Sequence, residues 1–318
     1  MLTLARRLAW AAAIGMLVVL LMGATVTKTG SAEGCGKSWP LCHGKFIPEY
    51  AFTTMVEFSH RLVTSLEGFL LLAACVAAFR FRRALPELKV LIPLTLFTLV
   101  LQSGMGAAAV MWPQMPTVLA LHFGISLTAL ASVYLMARVL AEGPDRPPRD
   151  DAAVPAGFKR LMWSSLVVIT VVAYLGAYVR HTHSQMACYT WPLCNGSLFP
   201  GFTGPVGIAF NHRLAALVAV LLLVWMLVRA RDLRAARPDL WRIAVAAVAL
   251  VLVQSLVGGL VIVSRLSFAA TMAHALTMAL LFSAVADGAR LVLPQPRPAE
   301  RPRRAGDGST VGAPAPAR

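Results

Sequence analysis

Apolar runs of similar length recur eight times along the chain, at residues 8–27, 55–79, 90–111, 117–138, 161–179, 206–228, 243–263 and 268–289. Each is near the roughly 20 residues an α-helix needs to cross the hydrocarbon core of a bilayer. The segments between them read differently. Residues 28–54 are too polar and too punctuated by glycine and proline to span. Residues 80–89 form a short basic turn, and Trp112-Pro113-Gln114-Met115-Pro116 a tight one. Residues 142–160 hold four prolines and mixed charges and read as a flexible linker. Residues 180–205 form a second long loop. Residues 293–318 have almost no large apolar side chains and read as a disordered tail. The first run has no small-residue cleavage site after it, so it reads as a helix and not a signal peptide. The pattern predicts an all-α integral membrane protein with eight transmembrane helices.

The polar positions repeat. Glu57-Phe58-Ser59-His60-Arg61-Leu62 returns as Ala209-Phe210-Asn211-His212-Arg213-Leu214, an offset of 152 residues. Trp39-Pro40-Leu41-Cys42 returns as Trp191-Pro192-Leu193-Cys194, Gln102-Ser103 as Gln254-Ser255, and His122 as His274. Upstream the offset is 153, relating Gly23-Ala24 to Gly176-Ala177 and Cys35 to Cys188. The chain therefore divides into a half at 1–141, a linker at 142–160, a second half at 161–292 and a tail at 293–318. The eight helices form two tandem pseudo-symmetric four-helix bundles. Four spans per half leave both halves in the same orientation, which disfavours the inverted-repeat transporter class.

Charge and composition refine this picture. The chain is 58% hydrophobic and carries a formal charge of +15 from 29 Lys and Arg against 14 Asp and Glu. The basic residues cluster at Arg6-Arg7, 80–89, 146–160, 229–242 and the tail, all on one side of an eight-span arrangement. That distribution excludes a nucleic-acid surface and marks the cytoplasmic face of a cell membrane. Both termini are expected inside and the cysteine loops outside.

Four of the seven histidines lie inside apolar runs: His60, His122, His212 and His274. Each is expected roughly 8 Å below the outer end of its helix, at 1.5 Å per residue. Ionisable residues inside a membrane are functional by default. Histidines on facing helices of a bundle are suited to axial ligation of haem iron, and no Cys, Asp or Glu completes a tetrahedral zinc set in both halves. Arg61 and Arg213 follow a histidine each. They serve either haem propionates or interfacial snorkelling.

Cys35 and Cys42 share one outer loop, Cys188 and Cys194 the other, so Cys35–Cys42 and Cys188–Cys194 disulfides are expected. Both bridges staple their loops, or the first exchanges with thiols beside a redox cofactor. Cys75 is alone in an apolar run and reads as packing. One carboxylate breaks the repeat: Glu57, one turn before His60, stands where the second half has Ala209. Glu67 shares that face and faces Ala219 in the repeat; its role is open.

Eight helices in two halves, Glu57-x-x-His60-Arg61, the Trp-Pro-Leu-Cys loops and the late His122 and His274 resemble the heme A synthase family over nearly the whole chain to about residue 290. The resemblance implies oxidation of the C8 methyl of heme O to a formyl group by successive hydroxylations, an oxidoreductase activity supplying heme A to terminal oxidases. It implies that His60 and His122 hold the substrate haem, that His212 and His274 ligate the iron of a haem b passing electrons, and that Glu57 is the catalytic carboxylate. A carboxylate there stabilises positive charge or deprotonates attacking water. Expected partners are heme O synthase, the lipid bilayer, and an electron acceptor or donor the sequence does not identify, a quinone among the candidates. No nucleic acid is expected, and the oligomeric state is open, a homo-oligomer included. The rival class is a non-catalytic dihaem membrane cytochrome b in quinol-linked electron transfer. It accounts for the four histidines but not for the one-sided Glu57.

Overall fold

The computed structural model of the protein describes residues 1–112 and 115–295. The expected disordered tail lies outside these residues from 296 onward, as do Pro113 and Gln114 of the expected tight turn. Eight long helices follow the eight apolar runs: α1 (Leu2–Lys28), α2 (Phe52–Phe79), α3 (Leu88–Met111), α4 (Pro116–Glu142), α5 (Ala156–His181), α6 (Gly204–Ala230), α7 (Pro238–Val263) and α8 (Phe268–Leu291). All eight are long and apolar enough to cross a membrane. Each helix outruns its apolar core by a few residues, because polar end residues continue the backbone ladder at no cost in the interface. Proline at the first positions of α4, α6 and α7 starts three of them, where a missing N–H is harmless. Ser267 caps α8 by accepting a bond from the Ala270 N–H. Among the described residues no strand forms.

The helices group by fours, as the repeat predicts. α1 packs on α2 and α4, and α3 on α4; likewise α5 packs on α6 and α8, and α7 on α8. α1, α4, α5 and α8 make the contact between the groups. Small residues allow close helix packing within and between the groups: Ala5, Ala9 and Ala12 on α1 and Ala244 and Ala247 on α7 are fully buried. Within a bilayer such packing replaces the hydrophobic drive of a soluble core. Large apolar residues such as Ile14, Phe69, Val100, Leu221 and Val263 point outward.

The two long loops are also copies. Cys42 and Lys45 exchange backbone bonds of 3.2 and 2.9 Å, and Cys194 and Ser197 repeat the pair at 3.2 and 2.9 Å. Both disulfides are present, with Cα–Cα separations of 4.6 and 4.7 Å. All four of their cysteines are buried, and so is the free Cys75.

At the opposite end of the bundle, charges close the assembly. Asp287 is fully buried and accepts from Arg290 at 2.8 Å and Arg138 at 3.1 Å. Arg290 also donates to Glu142. Arg146 bridges Glu142 and Glu87, and buried Arg237 bridges Asp239 and Asp151. The segment between α4 and α5 supplies Arg146 and Asp151, so its charges pair with both four-helix groups.

Candidate functional site

The helices α2, α4, α6 and α8 carry one imidazole each at matching depth. His60 and His212 lie eight residues into α2 and α6; His122 and His274 lie six into α4 and α8. That puts them about 9–12 Å below the helix starts. They are slightly deeper than the apolar runs alone suggested, because the helices begin earlier. All four line one cavity of about 2060 Å³ that runs through both groups. A pocket for one drug-sized ligand measures roughly 300–1,000 Å³, so this space has room for more than one large ligand.

Each imidazole rests against a glycine on the preceding helix. A Cβ on Gly23, Gly106, Gly176 or Gly258 would come within 3.4, 3.5, 2.8 or 3.1 Å of Cε1 of His60, His122, His212 or His274. Gly106 and Gly258 repeat at the histidines' offset of 152, and Gly23 and Gly176 at the upstream offset of 153. They let the rings sit flush with the cavity wall. In all four rings Nδ1 is buried without a hydrogen-bond partner. Among the described residues no three His, Cys, Asp or Glu side chains gather to hold a bare ion. Two imidazoles per half, in an apolar slot relieved by glycine, form a donor set that fits iron whose remaining positions a macrocycle fills.

Glu57 sits at the disulfide end of the cavity and is 3% exposed. Its Oε1 pairs with Arg61, whose Nε donates at 3.1 Å. Its Oε2 accepts from the Cys35 N–H at 2.9 Å. Arg61 donates onward to the Ser38 and Leu41 carbonyls at 2.7 and 3.0 Å. The ring closed by Cys35–Cys42 therefore grips the carboxylate and its counter-ion together. In the second half, where Ala209 replaces Glu57, Arg213 donates to the Thr190, Leu193 and Cys188 carbonyls at 2.7, 3.0 and 2.7 Å. Both arginines line the cavity and both hold a loop in place, a duty the sequence did not reveal.

A second asymmetry involves the repeated glutamines. Gln254 lies 3.3 Å from His274 Nε2 and accepts a bond from Thr277. Gln102 has Ile125 where Thr277 would stand. It is 4% exposed, and its Oε1 is buried without a partner. Glu67, also buried, packs across from Gly15 on α1, where a Cβ would come within 1.9 Å of its carboxylate. The second half has Val168 and Ala219 at these places, so volume is exchanged between facing helices.

Sequence reasoning overlooked two further features. The histidine-facing glycines were visible as repeated small residues, but spacing alone does not say what a glycine faces. Arg180, at the end of α5, lines the cavity and donates to the Ala24 carbonyl of α1 at 2.7 Å, joining the halves. It has no repeat partner and left no signal.

Comparison with known proteins supplies an independent line. The family of cytochrome oxidase assembly proteins designated COX15-CtaA matches residues 47–286. A protein of Symbiobacterium thermophilum named heme A synthase is 43% identical over 263 residues, 81% of this chain and 86% of its own length. Proteins of the same name from Alkalihalophilus pseudofirmus and Halalkalibacterium halodurans are each 39% identical, covering 86% and 85% of this chain and 92% and 91% of their own.

Proposed function

The chain belongs to the COX15-CtaA family of cytochrome oxidase assembly proteins, and from that premise we propose that it is a heme A synthase, an oxidoreductase converting heme O to heme A. The observation that carries the reading is the asymmetry of one duplicated site. Both halves offer two imidazoles to one cavity, and only the first half adds a carboxylate, Glu57 against Ala209.

In this reading His60 and His122 hold the substrate haem, and His212 and His274 hold a haem b. When bound, that haem b supplies one-electron transfer. The substrate's C8 methyl is oxidised by two successive hydroxylations, each replacing a C–H bond with a C–O bond to the oxygen of attacking water and releasing two protons and two electrons, and the resulting gem-diol loses water to give the formyl group. Electrons leave towards an acceptor of the quinone class. Glu57 acts as a fixed negative charge for the cation that develops beside the macrocycle. Both of its oxygens already accept hydrogen bonds, from Arg61 and from the Cys35 N–H. Preorganised charge of this kind acts strongly where water is excluded. The Cys35–Cys42 ring is the brace for that arrangement. The basic end faces the cytoplasm and the disulfide loops face outward. Heme O synthase is the source of substrate.

The test is to extract haem from membranes of cells that supply heme O, for the wild type and for His60→Ala, His122→Ala, His212→Ala and His274→Ala. The two C-terminal changes should remove the stable b-type spectrum. The two N-terminal changes should spare it and abolish heme A. Haem b without heme A from the wild type would favour a non-catalytic cytochrome b.

A further inference from the structure

The seam between α2 and α3 differs from its repeat between α6 and α7. Ser65, Gly68, Phe69, Leu99, Val100 and Ser103 line the cavity from α2 and α3. Of these, Phe69 is 71% and Val100 72% exposed. The cavity therefore opens to exposed apolar residues here, as it does in the second half at Leu217 and Leu256, which are 54% and 63% exposed; the two seams differ in the size of the side chains that flank the opening. α2 and α3 share a slighter contact than α6 and α7. Gly68 and Gly104 border open space: a Cβ on either would meet nothing within 4 Å. These glycines are not there for close helix packing, unlike Gly106, which faces His122. In the second half the places of Ser65, Gly68 and Gly104 are taken by Leu217, Val220 and Leu256. The same half pairs Gln254 with Thr277, while Gln102, which also lines the cavity, keeps a buried Oε1 without a protein partner. An unpaired buried amide oxygen is costly. The first half is thus built for a ligand larger and chemically different from that of the second.

We propose that the α2–α3 seam is a lateral slot that takes the long hydrocarbon tail of the substrate and admits it from the lipid. The proposal rests on the reading that heme O is the substrate of the first half. Heme O carries a long isoprenoid chain where haem b has a vinyl group. A tail of that kind is insoluble in water, and in the second half the side chains of Leu217, Val220 and Leu256 take up room that Ser65, Gly68 and Gly104 leave free. An apolar groove open to lipid receives it without dewetting cost; Ser65 and Gly68 leave it room in the cavity, and Gly104 leaves the neighbouring face of α3 bare. Removing those side chains in one half only separates a tailed substrate from a tailless cofactor.

The experiment uses the full chain in lipid nanodiscs, with heme O and tailless protohaem as probes of the first-half site. Ser65→Leu and the pair Gly68→Val with Gly104→Leu import the residues of the second half. They should weaken heme O binding about tenfold or more, the size of effect that overfilling an apolar site produces. Protohaem binding at the same site and the b-type spectrum of the second half should not change, and the latter reports that the variants fold. Unchanged heme O binding overturns the slot, and so does an equal loss of both probes. A second measurement needs no bulky substitution. Ser65→Cys should react with a membrane-soluble maleimide, and bound heme O should slow that reaction about tenfold while protohaem does not; equal rates overturn the proposal. Failure of the parent reading looks different: His60→Ala would still yield heme A whatever these probes do.

Discussion

Glu57 is the residue on which catalysis should turn. It is nearly inaccessible, yet its charge is answered on both oxygens, by Arg61 and by the Cys35 N–H. A buried carboxylate without partners would be expelled or neutralised; this one is secured. Glu57→Gln keeps the size and one acceptor oxygen but removes the charge. It should lower the heme A formation rate by about two to three orders of magnitude, with haem b content unchanged. Measuring heme A yield and haem b absorbance in one preparation checks both; a normal yield would remove Glu57 from the chemistry. The disulfide ring holds the same pair through backbone groups, so its effect should pass through Glu57. Cys42→Ser should slow turnover in the wild type, yet add little in a Glu57→Gln background. Additive losses in the double variant would contradict that coupling.

At the scale of elements, the decisive contacts are helix against ring. Each histidine helix is paired with a glycine on the helix before it, and the four gaps are not equal. A Cβ on Gly176 would approach His212 to 2.8 Å, one on Gly23 would approach His60 to 3.4 Å. Gly176→Ala should therefore displace His212 and reduce bound haem b several-fold, an overpacking cost of about 1–3 kcal/mol. Gly23→Ala should be tolerated far better. Haem b per protein, read from the absorbance ratio of purified samples, orders the two; the reverse order would mean that the rings are not set by these glycines.

For the whole molecule, the two ends do different work. One end holds the disulfide loops and Glu57; the other holds the ion network that ties α4, α8 and the connecting segments together. Arg290→Met would take from Asp287 and Glu142 their shared partner. Breaking a buried pair costs about 3–5 kcal/mol, so the thermal midpoint in nanodiscs should fall, with the b-type spectrum at low temperature retained. An unchanged midpoint would mean that water already serves these carboxylates. Orientation is checked separately. Reporter fusions after Lys45 and Ser197 should read outside and one after Asp150 inside, as the distribution of Lys and Arg requires.

The sequence by itself determined the eight helices, their grouping by fours, the four histidines, both disulfides and the lone carboxylate. These follow from local or periodic signals: a bilayer imposes a span length, a duplication repeats every residue held in common, and a loss such as Ala209 shows against its copy. Tertiary structure alone decided what those residues touch. Arg61 and Arg213 could serve haem propionates or snorkel to the interface by their position, and only the folded loops place carbonyls against them. Gly68 and Gly106 are equally small in the sequence, yet one borders open space and the other a ring. Glu67 needs Gly15 from another helix, and Arg180 reaches Ala24 across 156 residues of chain. Contacts between helices depend on rotation and offset of rigid rods, which span length and repeat spacing do not encode.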